Sequence, residues 1–157
     1  MRILVVADTH GSPSLLIDAV RQAGHTDMLL HLGDGQRDCA ALEPGYGGQI
    51  YRVRGNCDFG PSDEYDHFIP LAGASIYMTH GHLYDAKTTL NKLWFKGREV
   101  GADIVCFGHT HVPLLEKQGE ITLLNPGSLR HVKTYGLISL HDGKADIKIR
   151  RLGARSI

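Results

Sequence analysis

The chain has 157 residues, enough for one domain that buries a sizeable core. Hydrophobic residues make up 42% and charged residues 22%, the balance of an ordinary globular protein. Seventeen Lys and Arg offset seventeen Asp and Glu, so no net field draws the chain to a nucleic-acid polymer or an anionic membrane, and phosphate recognition has to be local. No apolar stretch approaches the ~20 residues of a membrane span. The N-terminal "MRILVVADTHG" has no small-residue cleavage site and meets Asp8 too early for a signal peptide, so the cytoplasm is the expected compartment. Three scattered cysteines, Cys39, Cys57 and Cys106, fit a reducing compartment better than a disulfide framework. Ten histidines are the unusual count, and they make a metal site worth seeking.

In chain order, "RILVVAD" reads as a short strand buried on both faces. "GSPSLLIDAVRQAG" predicts a helix with Ser12 as its cap, Pro13 in its first turn and Gly24 at its end. "DMLLHLG" is a second strand, "QRDCAALE" a short helix and "QIYRVRG" a third strand. This alternation is that of a parallel sheet. "DHFIPL" and "ASIYMTH" read as strands joined by a tight turn. "KTTLNKLWFKGREVG" reads as a helix with Leu90, Leu93 and Trp94 inward, and "DIVCFG" as a further buried strand. "PLLEKQ", "ITLLN", "YGLISLHD" and "ADIKIRR" follow, with hairpin signals at Gln118-Gly119 and Asp142-Gly143. They predict a C-terminal β-meander. With no linker or repeat, residues 1–157 read as a single α/β domain.

The informative feature is what ends each strand. "ILVVAD" ends in Asp8, with His10 two residues on; "LLHLG" leads to Asp34, "YRVRG" to Asn56, "IYMT" to His80, and "IVCFG" to His109 and His111. Ligands of open α/β sheets gather outside the carboxyl ends of strands. Gly33, Gly55 and Gly108 flank these positions and would let the backbone turn sharply there. Carboxylate, imidazole and amide oxygen are donors for hard-to-borderline divalent ions. Seven such side chains exceed the needs of one site and suit two ions roughly 3.5–4 Å apart that share a carboxylate. Two dications against two carboxylates leave a positive seat for a phosphate.

The blocks "DTH" (8–10), "GD" (33–34), "GNCD" (55–58), "HGH" (80–82) and "GHTH" (108–111) together resemble the calcineurin-like metallophosphoesterase superfamily. "NPGS" (125–128) resembles a further element of its compact single-domain prokaryotic phosphodiesterase branch. The resemblance implies a four-layer αββα sandwich, two mixed β-sheets flanked by helices. It implies that Asp8, His10, Asp34 and His111 hold a first metal and that Asp34, Asn56, His80 and His109 hold a second, with Asp34 bridging. The implied reaction is phosphodiester hydrolysis by a bridging hydroxide that the metal pair activates. Manganese is the expected ion, with nickel, iron, zinc or cobalt also compatible with the donors.

Other residues take expected roles around that set. Asp58 would orient a ligand, and Ser128 would shape the rim or mark a plain turn. Arg54 would reach a substrate phosphate with its planar fork or lie on a strand surface. Cys57 stands where much of the superfamily has a histidine that assists the leaving group. A thiol is a weak donor there, so His82 or His67 becomes an alternative acid. The expected substrate is a small, nucleotide-like phosphodiester in an open site, with no strong binding of nucleic-acid polymers. Exposed edge strands would permit a homodimer. The rival readings are a non-catalytic protein-binding scaffold on the same fold, as in a retromer subunit, or an esterase for phosphoproteins or dinucleoside polyphosphates. His25, His31 and His141 receive no role, and His131 is left unassigned.

Overall fold

The computed structural model describes residues 1–59 and 64–154. The first strand, β1 (Arg2–Val6), sends alternate side chains into two interiors, as a strand covered on both faces must. Ile3 and Val5 face a second sheet, while Leu4 and Val6 face the helix α1 (Pro13–Ala23). Two further strands, β2 (Met28–His31) and β3 (Gln49–Arg52), run parallel to β1, with a 3₁₀ turn at Gln36–Ala41 between them.

The chain then crosses to the second sheet. β4 (Asp66–Leu71) pairs antiparallel with β5 (Ala74–Thr79). A 3₁₀ turn (His82–Tyr84) and the helix α2 (Asn91–Val100) lead to β6 (Ile104–Cys106), which is parallel to β5. Next come β7 (Leu114–Gln118), β8 (Ile121–Asn125), β9 (Thr134–His141) and β10 (Lys144–Arg151). The two mixed sheets have the orders β10-β9-β1-β2-β3 and β4-β5-β6-β8-β7. Ile3, Val5 and Leu30 of one sheet meet Ile76, Met78, Ile104 and Leu124 of the other between the layers. Leu16 and Ala19 of α1 cover the outer face of the first sheet, and Leu93 and Trp94 of α2 cover that of the second. This is the four-layer αββα sandwich.

Three local expectations are corrected. The four C-terminal strands do not form one meander. They form two hairpins, β7/β8 in the second sheet and β9/β10 in the first, joined by a crossover through residues 126–133. The cause is β8, whose Leu123 lies under α2 and Leu124 between the sheets. A strand buried on both faces belongs in mid-sheet, and it lies there parallel to β6. Second, Ser12 makes no side-chain cap on α1. The Asp38 carboxylate accepts the amides of Gly11 (3.0 Å) and Ser12 (3.1 Å) instead. Third, α2 starts at Asn91 rather than near Lys87. The amides of Thr88 and Thr89 bond to the Asp85 carbonyl in a turn, and the Thr89 hydroxyl accepts the Asn91 amide. Threonine hydroxyls offer the backbone this alternative to a helix.

Parallel β1, β2 and β3 of one sheet and β5, β6 and β8 of the other all end on the same rim. The loops there interlock: the Asp8 amide bonds to the Gly33 carbonyl (3.0 Å), that of His10 to Asp34 (3.0 Å) and that of Gly108 to His80 (2.9 Å).

Candidate metal centre

Asp8, His10, Asp34, His109 and His111 all have positive φ, between 45° and 67°. Non-glycine residues seldom adopt this left-handed backbone, and they concentrate where function imposes a strained turn. The tension places five polar side chains on one rim. Gly55 and Gly108 serve close approach rather than a left-handed turn. A Cβ at Gly55 would strike the Asp34 carboxylate, and one at Gly108 would lie 2.9 Å from Ala7 Cβ and 3.0 Å from Asp8 Oδ2.

The side chains converge. Asp8 Oδ1 lies 3.4 Å from His111 Nε2, 3.8 Å from His10 Nε2 and 3.9 Å from His80 Nε2. His80 Nε2 is 3.2 Å from Asp34 Oδ2 and 3.0 Å from Asn56 Oδ1. The His80 and His109 rings stand edge to face at 5.0 Å. Donor atoms of Asp34, His80 and His109 all lie within 4.8 Å of one another, as do those of His10, Asp34 and Cys57. The structure thus brings together all seven side chains expected to hold cations.

Electrostatics follow from burial. Asp8 is fully buried, and its Oδ1 has no hydrogen-bond partner among the described residues. Burial pushes its carboxyl up to about 7; His80 pulls the other way, and the negative Asp34 adds to the rise. Burial also works to raise Asp34, but hydrogen bonds from His80 and from the Cys57 amide (2.8 Å) outweigh it and hold that carboxyl below the usual range. Burial opposes a charge on His80, yet its contacts with Asp34 and Asp8 raise its affinity for a proton. Its Nδ1 faces the Leu32 carbonyl (2.7 Å) and its Nε2 faces two acceptors, an arrangement that favours the protonated ring when no cation is bound. Burial pushes His109 down to about 4, with the positive charges of His80 and Lys87 adding to the effect. Burial likewise lowers His10 and His111. Three neutral imidazoles, an orphaned buried carboxylate oxygen and an excess proton beside a second carboxylate fit a divalent cation set.

An outer ring of hydrogen bonds holds these loops. Asp58 accepts four amides: Asp34 (2.8 Å) and Gly55 (2.8 Å) on one oxygen, Gly35 (2.9 Å) and Gln36 (3.3 Å) on the other. Asn125 donates to the Gly108 carbonyl and the Thr110 hydroxyl, both at 3.0 Å, so "NPGS" braces "GHTH". Ser128 Oγ donates to the Asp8 carbonyl at 2.9 Å. His31, expected to have no role, is fully buried and links the first two loops. Its Nδ1 accepts the Gly33 amide, and its Nε2 donates to Thr9 Oγ1, which in turn donates to Asp38. Burial pushes this ring down to about 4, which keeps it neutral in that linkage.

The remaining expected residues lie around the cluster. Arg54 stacks over the Tyr65 ring at 5.7 Å and donates Nε to the Asp58 carbonyl. Cys57 is exposed, and burial of its sulfur with the nearby Asp34 charge raises its thiol further. The His82 ring lies 5.3 Å from His80 and 6.1 Å from His109, and its Nδ1 is buried with no partner among the described residues. His67 is engaged elsewhere, with the Arg52 carbonyl and Glu64. Sequence reasoning missed Lys87, whose charge reaches Asp8 and His109, and it missed a cavity of about 280 Å³ beside Asp34 and Cys57, walled by Arg37 and Phe59. Those walls come from a 3₁₀ turn and a loop that carry no recognisable signal.

The calcineurin-like phosphoesterase superfamily domain matches residues 1–143. A probable metallophosphoesterase of Bacillus subtilis, YsnB, is 34% identical over 94% of this chain and 89% of its own length. The phosphodiesterase YfcE of Escherichia coli is 29% identical over 88% of this chain and 87% of its own. A predicted phosphoesterase of Streptococcus pneumoniae superposes with a TM-score of 0.80 at 30% identity, over 94% of this chain and 87% of the other. Overlap this extensive, on a chain whose strand ends meet in one cluster of carboxylates and imidazoles, shows that the chain belongs to the calcineurin-like phosphoesterase superfamily.

Proposed function

We propose that residues 1–157 act as one domain that hydrolyses small phosphodiesters with two divalent cations. The observation that carries this reading is Asp8 Oδ1, a buried carboxylate oxygen with no hydrogen-bond partner among the described residues, facing the imidazole nitrogens of His10, His80 and His111. A site that costs so much desolvation is understandable if it is completed by positive charge. Asp8, His10, Asp34 and His111 would hold one ion, and Asp34, Asn56, His80 and His109 the other. When bound, the ions would supply hydroxide from water near neutral pH and offset charge on the phosphoryl oxygens.

The chain's own groups do the rest. Asp58 holds the Asp34 and Gly55 amides and so sets the distance between the loops that carry Asp34 and Asn56. Arg54, whose guanidinium lies over the Tyr65 ring, would meet a phosphoryl oxygen by rotating away from it. Protonation of the leaving alcohol is the weak point. The Cys57 thiol is a weak acid pushed weaker, and burial lowers His82, so neither is a strong donor at neutral pH. Diesters with good leaving groups are therefore the favoured substrates. The cavity of about 280 Å³ suits a small alcohol moiety, with Phe59 as an exposed aromatic wall for a nucleotide-like base. The phosphodiesterase name of YfcE supports a diester over a monoester.

The test is a panel of phosphomonoesters, phosphodiesters and cyclic nucleotides, run on cation-stripped protein with manganese, nickel, iron, zinc or cobalt restored one at a time. Manganese with a diester of a good leaving group is the expected best pair. Asp34→Asn should lower turnover on the order of 100-fold or more. Near-normal rates in that variant would remove the bridging carboxylate.

A further inference from the structure

We propose that His131 is an additional cation ligand, closing with His10 and His111 a three-imidazole face on the solvent side of the centre. The inference rests on the two-cation reading above and adds a residue to it. One nitrogen from each of His10, His111 and His131 lies within 4.8 Å of the other two. His10 Nε2 and His111 Nε2 are 3.4 Å apart. The His131 ring stacks on His111 at 5.0 Å with 19° between planes and lies 5.5 Å from His10. Nitrogens that share an ion at ~2.0–2.1 Å stand about 3–4 Å apart, so rotation of one exposed side chain closes the gap.

The backbone under His131 is held to the Asp8 loop. Ser128 Oγ donates to the Asp8 carbonyl and accepts the His131 amide at 3.1 Å, so one hydroxyl sets the spacing of both residues. The Leu129 amide bonds to the Ala7 carbonyl at 3.0 Å, and Arg130 donates to the His10 carbonyl at 2.7 Å. Amides of Val132 and Lys133 return to the Ser128 carbonyl at 2.9 and 3.0 Å and close the turn. The loops after β1, β6 and β8 thus contribute one imidazole each. This gives the crossover between the sheets a chemical task besides bracing.

A third imidazole changes which ion the site prefers. Nitrogen donors favour cobalt, nickel and zinc over manganese, while carboxylate and water suit manganese. His131 therefore tilts the site of His10 and His111 toward the later ions.

The test uses the full chain and cobalt(II) alone, with uptake followed by visible absorption and by competition with a chelator, and nitrogen donors counted by X-ray absorption. His131→Phe keeps a ring stacked on His111 and removes both nitrogens; His131→Ala removes both features. Since His131 is exposed, both variants should fold, which circular dichroism checks. The proposal expects both to weaken one of two cobalt sites ~10-fold or more and to lose one nitrogen donor, with a smaller effect on manganese. If His131→Phe binds both cobalt ions as the unchanged chain does, the role is stacking alone and the proposal is overturned, whatever His131→Ala does. If the unchanged chain takes up no cobalt, the two-cation reading itself falls and takes the proposal with it.

Discussion

Asp58 Oδ2 lies 2.8 Å from the amide nitrogen of Asp34 and the same distance from that of Gly55. One carboxylate oxygen therefore joins the loops after β2 and β3, the two that carry Asp34 and Asn56. Asp58→Ala leaves four amides without their acceptor in a buried pocket. We expect a loss of about 2–4 kcal/mol in stability, part of it recovered by entering water. Cation affinity should also fall ~10–100-fold, because the Asp34 carboxylate loses the support of its loop. Urea denaturation and cobalt titration measure the two effects. Asp58→Asn should lose less, since its carbonyl oxygen still accepts one pair of amides while its NH2 group presents donors to the other pair. Unaltered stability in both variants would mean the loops hold their spacing without this residue.

Cation uptake should depend steeply on pH. Without cations, Asp8 keeps its proton up to about 7 because its carboxylate is buried. Burial opposes a charge on His80, but its contact with the Asp34 carboxylate raises its affinity for a proton. A divalent ion has to displace both protons. His10, His109 and His111 are lowered and offer open lone pairs through the same range, so they do not compete. The sign is then fixed. Affinity rises with pH, on the order of tenfold per unit for each proton displaced, and flattens once both groups have lost their protons in the cation-free site. Calorimetry in buffers of different ionisation enthalpy should find protons released at pH 6 and fewer at pH 8. No release at pH 6 would show that neither group holds a proton in the cation-free site.

Much of this centre was legible because the signal is blunt: strands of buried aliphatics that stop in Asp, Asn or His. Asp8, Asp34, Asn56, His80 and His109 could be placed on one rim from that alone, given that parallel strands end together. The distribution of the last four strands was not legible. Alternation along β8 and β9 says that each has buried faces, but not which sheet supplies the cover. The hairpin turns, by contrast, were readable: Asp142 and Gly143 both have positive φ, as their sequence suggests. The start of α2 was missed because threonine hydroxyls compete for backbone bonds that periodicity ignores. His31 looked like a lone histidine in an apolar strand, and only its partners, 22 and 2 residues away, show it linking two loops. His131 follows no strand directly, and His10 and His111 reach it only after folding.

Cys57 offers a direct test of leaving-group assistance. Cys57 lies at the surface, its thiol pKa raised by partial loss of water around the sulfur and by Asp34, and its sulfur is next to the Asn56 amide. An imidazole titrates near neutrality and gives up a proton far more readily. Cys57→His should therefore raise turnover on diesters of poorly activated alcohols several-fold, while diesters with good leaving groups change little. Cation content measured alongside separates this from an altered metal site. Unchanged or lower turnover on poor leaving groups, with cation content intact, would count against proton donation from this position.

Close approach at Gly108 should matter to the centre more than to the fold. A methyl there would press on Ala7 Cβ and on the Asp8 carboxylate, from 2.9 and 3.0 Å. The "GHTH" loop would have to lift away, and His109 and His111 with it. Gly108→Ala should lower cation affinity at least ~10-fold, with a stability loss of about 1–3 kcal/mol from local overpacking. Gly119 is the control: it has φ +59° in the β7/β8 turn, with nothing within 4 Å of an added Cβ. Gly119→Ala should lose about 1–2 kcal/mol through backbone strain and leave cobalt uptake unchanged. Equal effects of the two substitutions on cobalt uptake would show that binding follows overall stability, and that the contact between residue 108 and Asp8 has no special bearing on the site.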